Sequence, residues 1–186
     1  MKKILLVGAV ALFGAMNAQV FGVKAGLNVS DISNADDTKA KVGFGGGLFM
    51  NAPLATNFSI QPELLYNMKG AKASDSDDIS VNLDYISVPV MFQYNATPSF
   101  YLEAGPEFGF LVNAKAKVGG ISADVKELVE GFEVGIGLGL GYYFAPNIGV
   151  TARYTAGLTD VLKDNSGSES GKNSVFNIGL AYKFGK

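Results

Sequence analysis

Cysteine and histidine are both absent from the 186-residue chain. Without cysteine there is no disulfide, no thiolate metal site and no thiol nucleophile. Without histidine the commonest general base and the commonest metal ligand are gone. An excess of either charge is missing too. The 15 basic residues face 17 acidic ones, a net charge of −2, which leaves no electrostatic footprint for nucleic acid. Long apolar runs are also lacking. Past the first twenty residues nothing approaches the ~18 consecutive apolar residues of a spanning helix, although 48% of the chain is hydrophobic. The apolar residues are spread out in alternation instead.

The N-terminus stands apart. Lys2 and Lys3 give a basic start, Ile4 to Met16 is an apolar stretch of 13 residues, and "MNAQ" offers a cleavage site after Ala18. This pattern predicts a cleaved export signal over 1–18 and a mature domain over 19–186. Loss of Lys2 and Lys3 leaves 13 basic against 17 acidic residues.

From Val20 onward nearly everything alternates with period two, the mark of β-strands. Eight segments carry the pattern: 20–30, 41–51, 57–70, 81–94, 99–113, 131–144, 148–159 and 173–184. In the sixth, Phe132, Val134, Ile136, Leu138, Leu140, Tyr142 and Phe144 alternate without a break. In the fourth, Leu83 and Tyr85 fall out of phase with Ile86, Val88 and Val90, which predicts a β-bulge near Asp84 to Ile86. The connections 52–56, 95–98 and 145–147 are short; 31–40, 71–80, 114–130 and 160–172 are longer and polar. "VKELV" (125–129) has room for one helical turn. Short turns at one end and long loops at the other describe an all-β, up-and-down antiparallel meander, and eight strands can close into a barrel.

The second face of each strand decides how the barrel is dressed. In the fifth segment it is Tyr101, Glu103, Gly105, Glu107 and Gly109; in the sixth it is Glu133 and then Gly135, Gly137, Gly139 and Gly141. Glycines would leave a solvent-facing sheet bare. In the narrow lumen of an eight-stranded barrel they fit, because side-chain room is scarce there. The large apolar residues then point out to lipid, and closed barrels are one of two ways to satisfy the backbone in a bilayer. Phe21, Phe58, Phe92, Tyr94, Phe100, Tyr142, Phe144, Tyr182 and Phe184 fall near the short-turn ends, where an interfacial girdle belongs. The short turns are accordingly expected on the periplasmic side.

These residues resemble a known family. "FGVKAGLNVSDIS", "YISVPVMFQY", "FYLEAGPEFGFL" and "GIGLGLGYYF" look like the PorT-like outer-membrane β-barrels, a branch of the small OmpA/OmpX-type barrels. The likeness spans essentially the whole mature chain. It implies an integral outer-membrane protein of a Gram-negative cell envelope, with outer-membrane lipid as its surroundings. "NIGLAYKF" matches the C-terminal recognition pattern of such barrels, so Asn177, Gly179, Tyr182 and Phe184 are implied as the signal to the barrel-assembly machinery. Gly185 and Lys186 follow the final aromatic, a departure from barrels that end on it. The family name comes from a protein linked to type IX secretion, which implies an accessory secretion role as one alternative.

The inward charges are the candidate site: Lys24, Glu63, Glu103 and Arg153 at similar heights, with Glu107 and Glu133 further from the short turns. Such charges in a lumen of low dielectric must pair, since an unpaired buried charge is costly. They are expected to fill the barrel as a polar plug; the competing reading is a gated ion path. Glu103 and Glu107 share a face but stand ~13 Å apart along a strand, beyond the ~5–9.5 Å of glycosidase pairs. "GIGLGLG" lacks the following helix of a dinucleotide site. "SDSDD" (74–78) has carboxylates for calcium but no EF-hand glycine or distal glutamate. The expectation is a non-enzymatic monomer with no cofactor and no metal. Its role would be structural or interactive in the envelope, with an envelope or surface protein as partner and no nucleic acid. A small passive channel is the alternative of another class.

Overall fold

The structure is a computed structural model that describes residues 19–33, 38–73, 75, 78–161 and 171–185. The expected export signal over 1–18 and Ser74, Ser76 and Asp77 of "SDSDD" lie outside these residues. Nine strands are described: β1 (Val20–Ser33), β2 (Thr38–Ala55), β3 (Phe58–Ala73), β4 (Ile79–Asn95), β5 (Phe100–Val118), β6 (Ile121–Asp124), β7 (Phe132–Tyr143), β8 (Ile148–Asp160) and β9 (Lys172–Phe184). Eight of them form a ring of antiparallel neighbours. β4 pairs with β5, β5 with β7, and β1 with β9 from Phe21↔Phe184 to Ser33↔Lys172. The ring strands run from 12 to 19 residues, more than the ~9–11 a tilted strand needs to cross a bilayer. The outer surface is an apolar belt: Leu48, Phe92 and Leu138 are each more than half exposed. At the short-turn end the rings of Phe58 and Tyr94 lie 5.4 Å apart and those of Tyr182 and Phe184 5.7 Å apart, part of the expected girdle.

The glycines take a sharper meaning from the register. Large inward side chains sit directly opposite glycines on the next strand: Phe49 opposite Gly22, Tyr101 opposite Gly141, Tyr143 opposite Gly149, Glu103 opposite Gly139 and Glu133 opposite Gly109. A Cβ on Gly141 would stand 2.3 Å from Tyr101 Cζ, and one on Gly22 2.2 Å from Phe49 Cζ, both closer than a Cβ can come without a shift. Each glycine is the seat on which its cross-strand partner lies flat, a pairing between neighbours on one face of the sheet.

Several sequence expectations change. β4 keeps an unbroken register with β3, so Leu83 and Tyr85 point inward in phase with Ser87 and Met91. The bulge lies at the expected height but on the partner strand. Val112 of β5 is the extra residue between the pairs Tyr85↔Leu111 and Asp84↔Asn113. It reverses the phase of β5, so that Ala114 is buried while Lys115 and Lys117 are exposed. Beyond it the barrel's dressing inverts, apolar inside and polar outside. Leu83, Tyr85, Leu111, Ala114, Val129 and Val161 form an apolar cluster over the lumen. The span 114–130, expected as a loop, is largely a hairpin. β5 runs on to Val118, turns through Gly119 and Gly120 at φ 57° and 88°, and returns as β6. Two successive positive φ values make this a type I′ turn. The expected helical turn is a 3-10 turn over Lys126–Leu128. The spans 31–40 and 71–80, also expected as loops, are partly taken up by the ends of β1, β2, β3 and β4.

Gly141→Leu should displace the Tyr101 ring and cost about 1–3 kcal/mol of stability through overpacking. Gly131→Ala, where an added Cβ meets nothing within 4 Å, should be neutral. Urea unfolding in detergent micelles, followed by circular dichroism, measures both.

Candidate functional site

Inward positions on β1, β3, β5, β7 and β8 bring all six predicted charges into the lumen, each at most 9% exposed. They separate into two groups by height. In the group nearer the short turns, Arg153 is the hub. Its two terminal nitrogens donate to both oxygens of Glu63 at 2.8 Å, and its Nε donates to Glu103 Oε1 at 2.7 Å. The planar guanidinium thus holds two carboxylates from two strands, which an ammonium cannot do with the same geometry. Lys24 Nζ donates to Glu63 Oε1 at 2.8 Å, as does Gln61 Nε2. Gln93 Nε2 satisfies the far oxygen of Glu103 at 3.0 Å. Two cations and two carboxylates balance here.

The second group contains a residue that was not singled out from the sequence, Lys69. It is 2% exposed, and its ammonium reaches Glu107 Oε1 at 3.3 Å and Glu133 Oε1. Thr155 Oγ1 donates to the other oxygen of Glu107 at 3.2 Å, and Asn173 Nδ2 to the other oxygen of Glu133 at 2.7 Å. The Lys69 ammonium also stands 5.1 Å from the Tyr85 ring, tying the group to the apolar cluster beyond. Lys69 shares the inward phase of Glu63 on β3. Its partners lie 38 and 64 residues away, a separation that period two does not reveal.

Both ends of this polar core are filled. Beyond Lys69 stands the Leu83–Tyr85 cluster. At the short-turn end Phe49, Tyr101, Tyr143 and Ala181 pack together, with Lys183 Nζ 3.8 Å from the Tyr143 ring centroid. Beside them Asn51, Ser59, Gln61 and Gln93 are linked by hydrogen bonds, among them Asn51 Nδ2 to Gln93 Oε1 at 2.7 Å. Between the ends lies a cavity of about 30 Å³, bordered by Asn28, Asn67, Thr151 and Arg153. It has room for about one or two waters. Among the described residues no group of three or more acidic, histidine or cysteine side chains could hold a metal.

The four residues read as an assembly signal fall on both faces of β9. Asn177 and Gly179 belong to the inner side, and Asn177 Nδ2 donates to Asn28 Oδ1 of β1 at 2.8 Å, across the strand pair that closes the ring. Tyr182 and Phe184 are exposed on the outer belt.

A closed antiparallel ring with an apolar exterior and a paired, charged interior is a transmembrane β-barrel. Its membrane follows from comparison with known proteins. The family described as "Outer membrane protein beta-barrel domain" matches residues 17–163, and the chain belongs to that family; it is an outer-membrane protein. Solved structures agree on the fold. Ail, the attachment invasion locus protein of Yersinia pestis, superposes with a TM-score of 0.54 at 17% identity, over 89% of this chain and 99% of that one. Neisserial surface protein A gives 0.54 at 13% identity, over 89% and 97%. No curated protein sequence matches the chain significantly.

Arg153→Met leaves Glu63 and Glu103 buried without their shared partner and should cost about 3–5 kcal/mol. Adding Glu63→Gln should return part of that loss. Denaturant midpoints of the single and double variants in micelles measure the difference.

Proposed function

We propose that this protein is a closed, non-conducting and non-enzymatic barrel, with a structural or interaction role in the cell envelope. The observation that carries the reading is the filled lumen. Paired charges occupy its middle, an apolar cluster covers one end, and aromatic rings with an amide cluster cover the other. A steady ion path would have to dislodge all three layers. The short turns and both barrel termini then face the periplasm, after removal of residues 1–18. Asn177, Gly179, Tyr182 and Phe184 serve as the assembly signal during biogenesis. The resemblance to the PorT-like branch supports an integral outer-membrane barrel; in this reading the barrel is a monomer in lipid with an envelope or surface protein as partner, and an accessory secretion role is its alternative.

Planar-bilayer recording separates this from the passive-channel reading. The wild-type chain should give no steady openings. Regular openings whose size changes in Arg153→Ala would contradict the closed barrel.

A further inference from the structure

Two short motifs from opposite ends of the chain meet at the closing seam. Gly26, Leu27 and Asn28 stand on β1; Asn177, Ile178 and Gly179 stand on β9. One reads Gly-x-Asn and the other Asn-x-Gly. Antiparallel pairing therefore sets Gly26 opposite Gly179 and Asn28 opposite Asn177. Leu27 and Ile178, between them, are exposed on the outer belt. The two glycines let the backbones come close. A Cβ on Gly26 would stand 2.2 Å from the Ile178 carbonyl oxygen, and one on Gly179 2.4 Å from that of Ala25.

The asparagines open a relay of hydrogen bonds. Asn177 Nδ2 donates to Asn28 Oδ1 at 2.8 Å, Asn28 Nδ2 to Asn67 Oδ1 at 3.2 Å, and Asn67 Nδ2 to Ser87 Oγ at 3.1 Å. The Ser87 hydroxyl donates to the Glu107 carboxylate. Every bond points the same way, from β9 through β1, β3 and β4 to β5. β2 gives way with Gly45, where an added Cβ would stand 2.4 Å from Asn67 Oδ1 and 2.9 Å from Asn28 Nδ2. Asn28, Asn67, Ser87 and Glu107 are buried, so an acceptor that loses its donor here is costly.

The register of the closing pair sets the stagger of the whole ring. A slip by one residue would turn a face over, so the competing registers are slips by two. One sets Asn177 opposite Gly26, Gly179 opposite Lys24 and Asn28 opposite Val175. The other sets Asn177 opposite Ser30, Gly179 opposite Asn28 and Gly26 opposite Ala181. Neither puts an amide opposite Asn28. Both put a residue with a Cβ against each glycine.

We propose that Gly26 and Asn28 are the matching half of the Asn177 and Gly179 motif, and that the two halves together select the closing register and so the stagger of the barrel. This task is separate from recognition by the assembly machinery, the reading given above for Asn177 and Gly179. Refolding without that machinery tests it alone.

The chain has no cysteine of its own, so introduced pairs report register. Ala25 and Leu180 stand directly opposite one another, and Ala25→Cys with Leu180→Cys reads the native register. Ala25→Cys with Ile178→Cys reads one slip and Ala25→Cys with Tyr182→Cys the other, because residues displaced by two positions lie beyond disulfide reach. The full chain is refolded from urea into lipid vesicles, then oxidised, and the bridged fraction is read by gel shift. With no further change, only the native pair should bridge. Asn28→Ala and Asn177→Ala should each raise bridging of a slip pair by about tenfold, and either serves if the other does not fold. Gln93→Ala removes a hydrogen bond to Glu103 away from the seam. It should lower the denaturant midpoint and leave the register unchanged. Slip-pair bridging that stays at its starting level in the asparagine variants overturns the proposal, and the amides then only stabilise. An equal rise in Gln93→Ala overturns it too, because slippage then follows from lost stability alone.

Discussion

Closure of β1 onto β9 is the constraint on which the rest of the structure depends. In hydrocarbon a free sheet edge leaves backbone groups unpaired at several kcal/mol each. Thirteen successive residue pairs between β1 and β9 remove that edge. Closing on only eight strands fixes a narrow lumen, and a narrow lumen decides what the inward side chains can be. Where a large one enters, the position opposite is repeatedly glycine, as with Tyr101 and Gly141 or Glu103 and Gly139. Glycine weakens a strand by itself, yet here the flat side chain across from it supplies the packing that it lacks.

The same narrowness makes polar pairing obligatory. Water has almost no place in the middle of the barrel, so charges from distant strands must satisfy one another. Arg153 does this for two carboxylates at once and so links β3, β5 and β8 across the interior. Lys69 links β3 to β5 and β7. These bonds run across the lumen, whereas the ladders run around it, so the polar core braces the ring along its diameters. At Val112 the logic reverses. One extra residue turns β5 over, lysines face outward, and the interior becomes apolar like that of a water-soluble sheet. The bulge thus marks the height at which the outer face of β5 changes from apolar to lysine-bearing.

How much of this was legible in the sequence depended on range. Period-two alternation placed all eight ring strands, and the glycine-rich second face told inside from outside. Lys24, Glu103, Glu107, Glu133 and Arg153 were legible as lumen charges because each lies in the glycine phase of its strand, and Glu63 because it lies in the polar phase of β3, opposite Ile60, Pro62 and Leu64. Which charge meets which was not legible, because partners such as Lys69 and Glu133 are joined by strand tilt and stagger, not by spacing. Leu83 and Tyr85 suggested a bulge in their own strand because an apolar residue in the polar phase looks misplaced. They are in place, and the irregularity sits on β5, where register with β4 alone reveals it. The hairpin at Gly119 and Gly120 had a local signal, a Gly-Gly pair between Val118 and Ile121, that the polar composition of 114–130 outweighed.

The central claim is that the lumen is a closed polar core. Because the chain has no cysteine of its own, one introduced thiol is unique. Thr151 faces the lumen, borders its cavity and is 5% exposed, so Thr151→Cys reports on the interior; Ile121→Cys, at a position 78% exposed on the hairpin, is the reference. The decisive measurement is labelling of the folded barrel in lipid by a small cationic methanethiosulfonate. Cys at 121 should react at once and Cys at 151 only after denaturation. Equal rates at the two positions in the folded barrel would mean an open lumen and would contradict the account.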